Sequence, residues 1–407
     1  MAEETPWQQS LRYANRANPY PFYEELRKTP VARQPDGSYV ASTYREVVQL
    51  LHDPRVSSDV RKRAPEYQFP NPFEGMIIGI DPPEHDRDRS RMMRHFGPPE
   101  CPHMIADQEP EIRRLTGELL DNMKGKSRID VVDEFAFPLP VTMICKVLGV
   151  PLESIPTFHG WIENALDGVD FGPEANDPEQ QRRAERAAGE VAKLRQFLAD
   201  LLDQYAKQPV AGMFSGMVND DSPEGRMSRE DLVADAMLML FAGHETSVNL
   251  ISHSVLTMLR HPDVYEQLRH RPELVVPAVE EFLRVESSVQ IWHTRCAAED
   301  IDIAGTTIPK GAPIFIAYGS ANRDPERFDN PDVPDLERPD NQHVGFSQGI
   351  HYCFGAPLAR LEVQVAVSEF VRRVENPRLV EDPPPYRRNQ IFRGPLHMMI
   401  DIDGIRD

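Results

Sequence analysis

Apolar positions along this chain recur mainly at helical spacing. Ile105, Ile112, Leu115 and Leu119 share one face of a helix expected over 104–123, and Val191, Leu194, Leu198, Leu201 and Tyr205 form the stripe of another over 180–206. Shorter helical patterns cover 19–28, 43–52 and 85–96. The longest pattern begins at Ser228, where Ser228 and Asp231 read as a capping box, and continues to about Arg260. At 1.5 Å per residue such a helix is roughly 45 Å long, enough to cross a whole domain. Another helix is expected to begin at Pro277 and to carry Glu281 and Arg284; a last one begins just after Cys353. Strand signals are few. PVARQPDGSYVAS alternates around Asp36-Gly37 and predicts a hairpin, and the C-terminal IFRGPLHMMIDID alternates like a strand. Residues 167–179 are a loop by composition, and 309–340 is a proline-dense stretch of specified turns. The pattern predicts a mainly α body with small β-sheets.

Composition narrows the partners. The 407 residues carry 45 Lys and Arg against 65 Asp and Glu, a formal charge of −20. That excess argues against nucleic acid or an anionic membrane as the main partner. The N-terminus lacks a basic segment followed by an apolar run, and the best apolar stretch, Ala236 to Gly243, is too short to span a bilayer. A soluble, cytoplasmic protein is expected. Cys101, Cys145, Cys296 and Cys353 are widely separated with no CxxC pair, which suits a reducing compartment. Length alone suggests two or three domains of about 150 residues.

The sharpest local feature is HVGFSQGIHYCFGAPLARLE, residues 343–362. Cys353 stands just before a helical run, where unpaired N–H groups and the positive end of the helix dipole favour thiolate over thiol. Gly345, Gly349 and Gly355 around it let a flat ligand approach the backbone. A buried structural cysteine is the plainer reading of the same residue, and the other three cysteines keep that reading.

FxxGxHxCxG followed by APLAR resembles the haem-binding loop of the cytochrome P450 family, in its soluble bacterial class. The resemblance implies the P450 fold, with haem b (iron protoporphyrin IX) held between a long central helix and the cysteine loop. It implies Cys353 as the iron ligand through its thiolate, with Phe346, Gly349, His351, Gly355 and Ala359 around the cofactor. One departure is Ser347, where the family commonly has glycine. Glu281-Phe-Leu-Arg284 resembles the family's ExxR helix, with Arg338 as third member; read alone it is a surface ion pair worth about 0–1 kcal/mol. Ala242-Gly243-His244-Glu245-Thr246 resembles the oxygen-activation motif, in which Ala242 and Gly243 leave room over the haem and Glu245 and Thr246 relay protons. A zinc motif HExxH fails here, because Val248 stands where its second histidine belongs.

His85 and Arg89, at i and i+4, together with Arg295 and His351, are expected by the same resemblance to hold the haem propionates; alone the first pair reads as a solvated helix face. Ile291 and Trp292, and Ile391 and Phe392, occupy the family's substrate-pocket positions, although each pair also reads as plain core. The loops around 60–80 and 167–179 are where the family shapes substrate access.

The activity implied is a haem-thiolate monooxygenase, which places one atom of dioxygen in an apolar small-molecule substrate. A haem-binding sensor without turnover and a peroxide-driven peroxygenase are the alternatives; the Glu245–Thr246 pair favours the monooxygenase. No GxGxxG fingerprint is present, so electrons are expected from a separate ferredoxin with its NAD(P)H reductase. Arg87, Arg91, Arg94 and Arg360 are expected to form a basic docking patch for the ferredoxin. Because the motifs from His85 to Arg393 must meet at one cofactor, residues 1–407 are expected to form a single domain.

Overall fold

The apolar stretch at 236–243 is the middle of a 32-residue helix, Arg229–Arg260, in the computed structural model, which describes residues 3–68, 75–97 and 100–407. Ser228 caps this long helix by accepting a hydrogen bond from the Asp231 N–H. Its side chains are buried almost continuously from Leu232 to Met258, since neighbours cover it on every side. Helices Pro138–Leu148, Pro178–Lys207, Val275–Val285 and Ala356–Arg373 all pack against it. The loop at 167–179 separates helices Ile155–Asp167 and Pro178–Lys207, as its composition indicates. The Glu281 helix begins at Val275, two residues before Pro277, behind a 3-10 turn.

The predicted hairpin forms the edge of a five-stranded sheet. Val31–Arg33 pairs antiparallel with Tyr39–Ala41, which lies parallel to Pro313–Ile316; Trp292–Ala297 and Val56–Ser57 complete the order. Pro313–Ile316 lies inside the stretch read as turns, a strand hidden by the surrounding prolines. In the C-terminal segment only Met399–Asp401 pairs as a strand, between Arg378–Leu379 and Arg128–Asp130.

The register between Trp292–Ala297 and Pro313–Ile316 shifts between Trp292 and Arg295. Residues three apart on a regular strand point to opposite faces. The bulge re-aims the strand, so Trp292 and Arg295 face the same cavity.

A buried ion pair ties the Glu281 helix to the proline-rich segment. Arg284 Nε and Nη2 donate to Glu281 at 2.8 and 2.7 Å, and both side chains are fully buried. Arg284 also donates to the Asn322 and Pro331 carbonyls, each at 2.8 Å. Glu281 further accepts from the Asp335 N–H and from Arg338 Nε. The Asn322 side chain continues the chain of contacts, donating to Ser287 and accepting from the Val344 N–H at the start of the cysteine loop. The pair is therefore a buried, multiply bonded unit rather than a surface contact. Glu281→Gln leaves the Arg284 charge buried without its counter-ion and should cost about 3–5 kcal/mol; thermal unfolding of the two proteins checks this.

Candidate functional site

The long helix and the helix after Cys353 face each other across an open cavity. Cys353, Phe346, Gly355 and Ala359 line one side, and Ala242, Gly243 and Thr246 line the other. Leu238, Met239, Leu250, Val289, Trp292 and Phe392 make most of the remaining wall apolar.

The cysteine loop is held from several directions. The Cys353 N–H donates to the Phe346 carbonyl at 3.0 Å. Arg360 lies over the Phe346 ring at 4.5 Å and forms a bidentate pair with Glu280, at 2.7 and 2.8 Å. His343 reaches the same carboxylate at 3.1 Å. Burial works against the Glu280 charge, but the hydrogen bonds from Arg360 and His343 outweigh it and hold its pKa down to about 2. At Cys353 burial raises the thiol, while the N–H groups of Gly355 and Ala356, then Arg89 and Arg360, pull it down; burial is the larger. The helix terminus thus acts in the expected direction without outweighing burial.

Ser347 sits at φ 61°, a conformation glycine adopts without strain, and its hydroxyl is 2.9 Å from the Tyr318 hydroxyl. That hydrogen bond is something glycine would lack. Gly349 does not line the cavity. Its φ is 69°, and a Cβ there would come within 2.3 Å of the Leu51 carbonyl, so glycine is needed here for a close backbone contact. Gly243 lines the cavity, yet the side chain it lacks would strike Ile144 at 2.6 Å; the glycine serves helix packing.

The polar rim gathers four cationic or imidazole groups: His85, Arg89, Arg295 and His351. Arg295 is buried and makes a weak hydrogen bond to the Thr294 carbonyl at 3.4 Å; among the described residues no carboxylate lies within ion-pair distance of it. Burial lowers its pKa, partly offset by Tyr318 and Asp81. Arg89 donates to the Tyr352 carbonyl at 2.7 Å. His351 is 2.7 Å from the Ser58 hydroxyl and its ring centroid is 4.5 Å from that of His85. Burial, followed by Arg295, His85 and Arg89, lowers the His351 pKa to about 2. His85 Nε2 is buried without a hydrogen-bond partner. An unpaired buried arginine and an unsatisfied imidazole are costly unless an anion completes them. This is the donor set that a dianionic, flat, largely apolar group such as haem needs.

Three further sets of expected residues lie elsewhere or are paired. Ile291 belongs to a separate apolar cluster with Trp7, Tyr23 and Phe315, and Ile391 is plain core; neither faces the cavity. Each precedes a residue that does, Trp292 and Phe392, as alternation along an extended backbone requires. Glu245 also lies off the cavity wall. It lines a second cavity with Glu163, Asp167, Tyr386 and Arg387, whereas Thr246 faces the first and donates to the Ala242 carbonyl at 2.6 Å. The four arginines expected as a basic patch are all in ion pairs: Arg87 and Arg91 with Asp88, Arg94 with Asp220, and Arg360 with Glu280. Of the 60–80 loop, residues 69–74 lie outside the described residues.

Sequence reading missed Glu362, Ser247, Tyr318 and Arg387. Glu362 was findable, because it stands on the apolar stripe of its helix with Leu358 and Val365. Tyr318 and Arg387 lie in segments with no periodicity to single them out.

Comparison with known proteins gives the class. A model of the cytochrome P450 family matches residues 179–401. The chain is 36% identical to vitamin D(3) 25-hydroxylase of Pseudonocardia autotrophica over 95% of its own length and 94% of the relative's. It is 33% identical to 6-deoxyerythronolide B hydroxylase of Saccharopolyspora erythraea, covering 95% and 96% of the two chains. Its fold matches that of CYP109E1 from Bacillus megaterium in complex with testosterone, with TM-score 0.87, 29% identity, and 96% and 100% of the two chains covered. The chain belongs to the cytochrome P450 family. It is a P450 oxidoreductase whose cofactor is haem b, held through a cysteine thiolate. Among the described residues no helix is long and apolar enough to cross a membrane.

Glu362 yields a test of the site's electrostatics. Burial beside the cavity raises its pKa to about 8, partly offset by a hydrogen bond with Ser247. The folded protein therefore holds a proton that the unfolded chain, with a carboxyl pKa near 4.5, releases. Stability falls as pH rises between these values, by at most about 1.4 kcal/mol per pH unit. Glu362→Gln should remove this part of the slope, measurable as the difference in unfolding free energy between pH 5 and pH 8.

Proposed function

We propose that this protein is a haem-thiolate monooxygenase that hydroxylates rigid, apolar organic molecules. The observation that carries the reading is the position of Cys353, the one cysteine on the wall of the cavity, opposite Thr246 on the long helix. When bound, haem supplies the iron at which dioxygen is activated by two electrons, one oxygen atom entering the substrate and the other leaving as water. Cys353 ligates that iron. Arg89 and Arg295, with His85 and His351, bind the propionates and so settle the uncompensated charge of Arg295. Phe346, Gly355 and Ala359 support the cofactor's cysteine side.

Trp292, Phe392, Val289, Leu238 and Met239 exclude water from the substrate and orient it by shape. Relatives named for vitamin D(3) and 6-deoxyerythronolide B, and a neighbour structure holding testosterone, support a polycyclic or macrocyclic substrate class. Thr246 Oγ, anchored on the Ala242 carbonyl, passes protons into the cavity, and Glu245 supplies them from the opposite side of the same turn. Burial, only partly offset by Arg387, raises the Glu245 pKa, which suits a group that must hold a proton before giving it up. A sensor without turnover has no use for this pair, and a peroxide-driven enzyme needs no proton supply to cleave dioxygen.

Electrons come from a separate ferredoxin and its NAD(P)H reductase. The ferredoxin docks at the cysteine loop, where Ile350 and Tyr352 are exposed. The paired state of Arg87, Arg91, Arg94 and Arg360 favours apolar contact over a strongly basic patch. A single domain over residues 1–407 is supported by one apolar core that draws residues from Val31 to Ile402.

The reduced, carbon monoxide-treated protein should show the red-shifted absorption band of a thiolate-ligated haem, and Cys353→Ala should lose it; a retained band refutes the assignment. With Thr246→Ala, NAD(P)H consumption should continue while product per NAD(P)H falls, by on the order of tenfold or more; product analysis against reductant use reads this directly.

A further inference from the structure

Glu245 is buried on the long helix, with 2% of its side chain exposed, and every proton it delivers must be replaced. Two contacts surround its carboxylate. Oε1 lies 3.4 Å from both Arg387 Nε and Asn249 Nδ2. Among the described residues Oε2 has no hydrogen-bond partner, and neither does Nδ1 of the preceding residue, His244. These two unsatisfied buried atoms are 3.6 Å apart. Orphaned buried polar atoms are rare in native proteins, and two of them facing each other require an explanation.

The other nitrogen of His244 supplies one. His244 Nε2 is 3.1 Å from Nδ1 of His159, on helix Ile155–Asp167. His159 Nε2 is in turn 3.5 Å from Glu163 Oε2, one helical turn further along. Side-chain exposure rises outward along this series, from 0% at His244 to 25% at His159 and 38% at Glu163. Arg387 closes the ring from the other side, donating to Glu163 Oε1 at 2.9 Å. Each carboxylate thus gives one oxygen to Arg387 and directs the other at a histidine.

We propose that His244 and His159 form a proton conduit that recharges Glu245 from solvent at Glu163, by way of neutral imidazoles. This rests on the assignment of Glu245 as the proton donor of the site. In one transfer the His244 Nδ1–H bond breaks and the proton goes to Glu245 Oε2. The His159 Nδ1 proton passes to His244 Nε2, and His159 Nε2 takes a proton from water held at the Glu163 carboxylate, the hydroxide leaving to bulk solvent. One proton enters from solvent, and no charge accumulates on either ring. Both imidazoles finish as the opposite tautomer, and a half-turn of each ring restores the starting state.

The surroundings favour hopping over storage of charge. The Phe137 ring lies 4.3 Å from His159 and 5.4 Å from His244, centroid to centroid. His159 faces Glu163, Arg387 and Asp133; His244 faces His159 and Arg387. Burial first, and then Arg387 among these, lowers the proton affinity of both rings, against which Glu163 and Asp133 raise that of His159. Glu245 faces Arg387, Glu163, Asn249 and Asp167. The 3.6 Å gap between His244 and Glu245 closes by less than 1 Å to reach hydrogen-bond length.

The test uses the haem-loaded protein and infrared spectroscopy of its protonated carboxyls, the Glu245 band being the one that Glu245→Gln removes. After transfer to D2O, exchange of that band should slow in His244→Gln and in the surface variant His159→Gln, by on the order of 10²-fold. The Glu362 band serves as the internal control and should exchange at an unchanged rate. Coupling of product to NAD(P)H should fall in the same two variants, with an increased solvent isotope effect and an unchanged substrate-induced spectral shift. Wild-type exchange in both histidine variants, with coupling lost only in Glu245→Gln, overturns the conduit and leaves the role of Glu245 intact. Full coupling in Glu245→Gln itself overturns both.

Discussion

The buried Glu281–Arg284 pair is the contact on which the cysteine loop depends. Taking both charges out of water is unfavourable, and Coulomb attraction alone barely repays it. The unit holds because all three guanidinium nitrogens of Arg284 and both oxygens of Glu281 have partners, among them the carbonyls of Asn322 and Pro331 and the Asp335 N–H. Those partners all belong to the proline-rich segment, which has little secondary structure of its own. The ion pair therefore stands in for the missing backbone ladder. Asn322 then fixes Val344, where the loop to Cys353 begins. The loop that carries Cys353 gains its rigidity from a helix some seventy residues earlier, through charge rather than apolar packing.

A second constraint is the alternation of side chains, and it divides what the sequence made legible from what it hid. Motif spacing pointed to Cys353, Thr246, Arg295, Trp292 and Phe392, all of which line the cavity. It did not separate neighbours. Ile291 and Trp292 are adjacent on extended backbone and must face opposite ways; the same holds for Ile391 and Phe392. Arg295, three residues from Trp292, reaches the cavity only because a bulge intervenes, and nothing in HTRCAAED announces a bulge. The long helix, its cap and the first hairpin were readable because period and turn chemistry are local. The strand Pro313–Ile316 was not, because pairing with Tyr39–Ala41 is a long-range fact that overrides its proline-rich surroundings.

The charge distribution follows the same logic. A net charge of −20 describes the outside of the molecule. Around the cavity the balance reverses: among the described residues Arg89 and Arg295 lack acidic partners, while the arginines near the cysteine loop are neutralised by Asp88, Asp220 and Glu280. Carboxylates are abundant enough in this chain to pair any arginine. Leaving Arg295 buried and unpaired is thus a local choice that makes sense only if an anionic ligand completes it. Counting charge over the whole chain could not reveal this, since two unpaired cations vanish within 45 basic residues.

Helical geometry also explains why the acid and the alcohol of the long helix lie on different walls. Successive residues are turned by about 100°, so Thr246 and Glu245 cannot both face one cavity. The consequence is a division of labour across a single turn. Thr246 faces the mostly apolar cavity that Cys353 also lines. The Glu245 side opens instead onto Arg387 and Glu163, beside the His244–His159 pair. A helix hydrophobic on all sides and buried throughout would ordinarily be only a structural spine. Here the 100° step sets the two neighbouring side chains of that same spine on two different cavities.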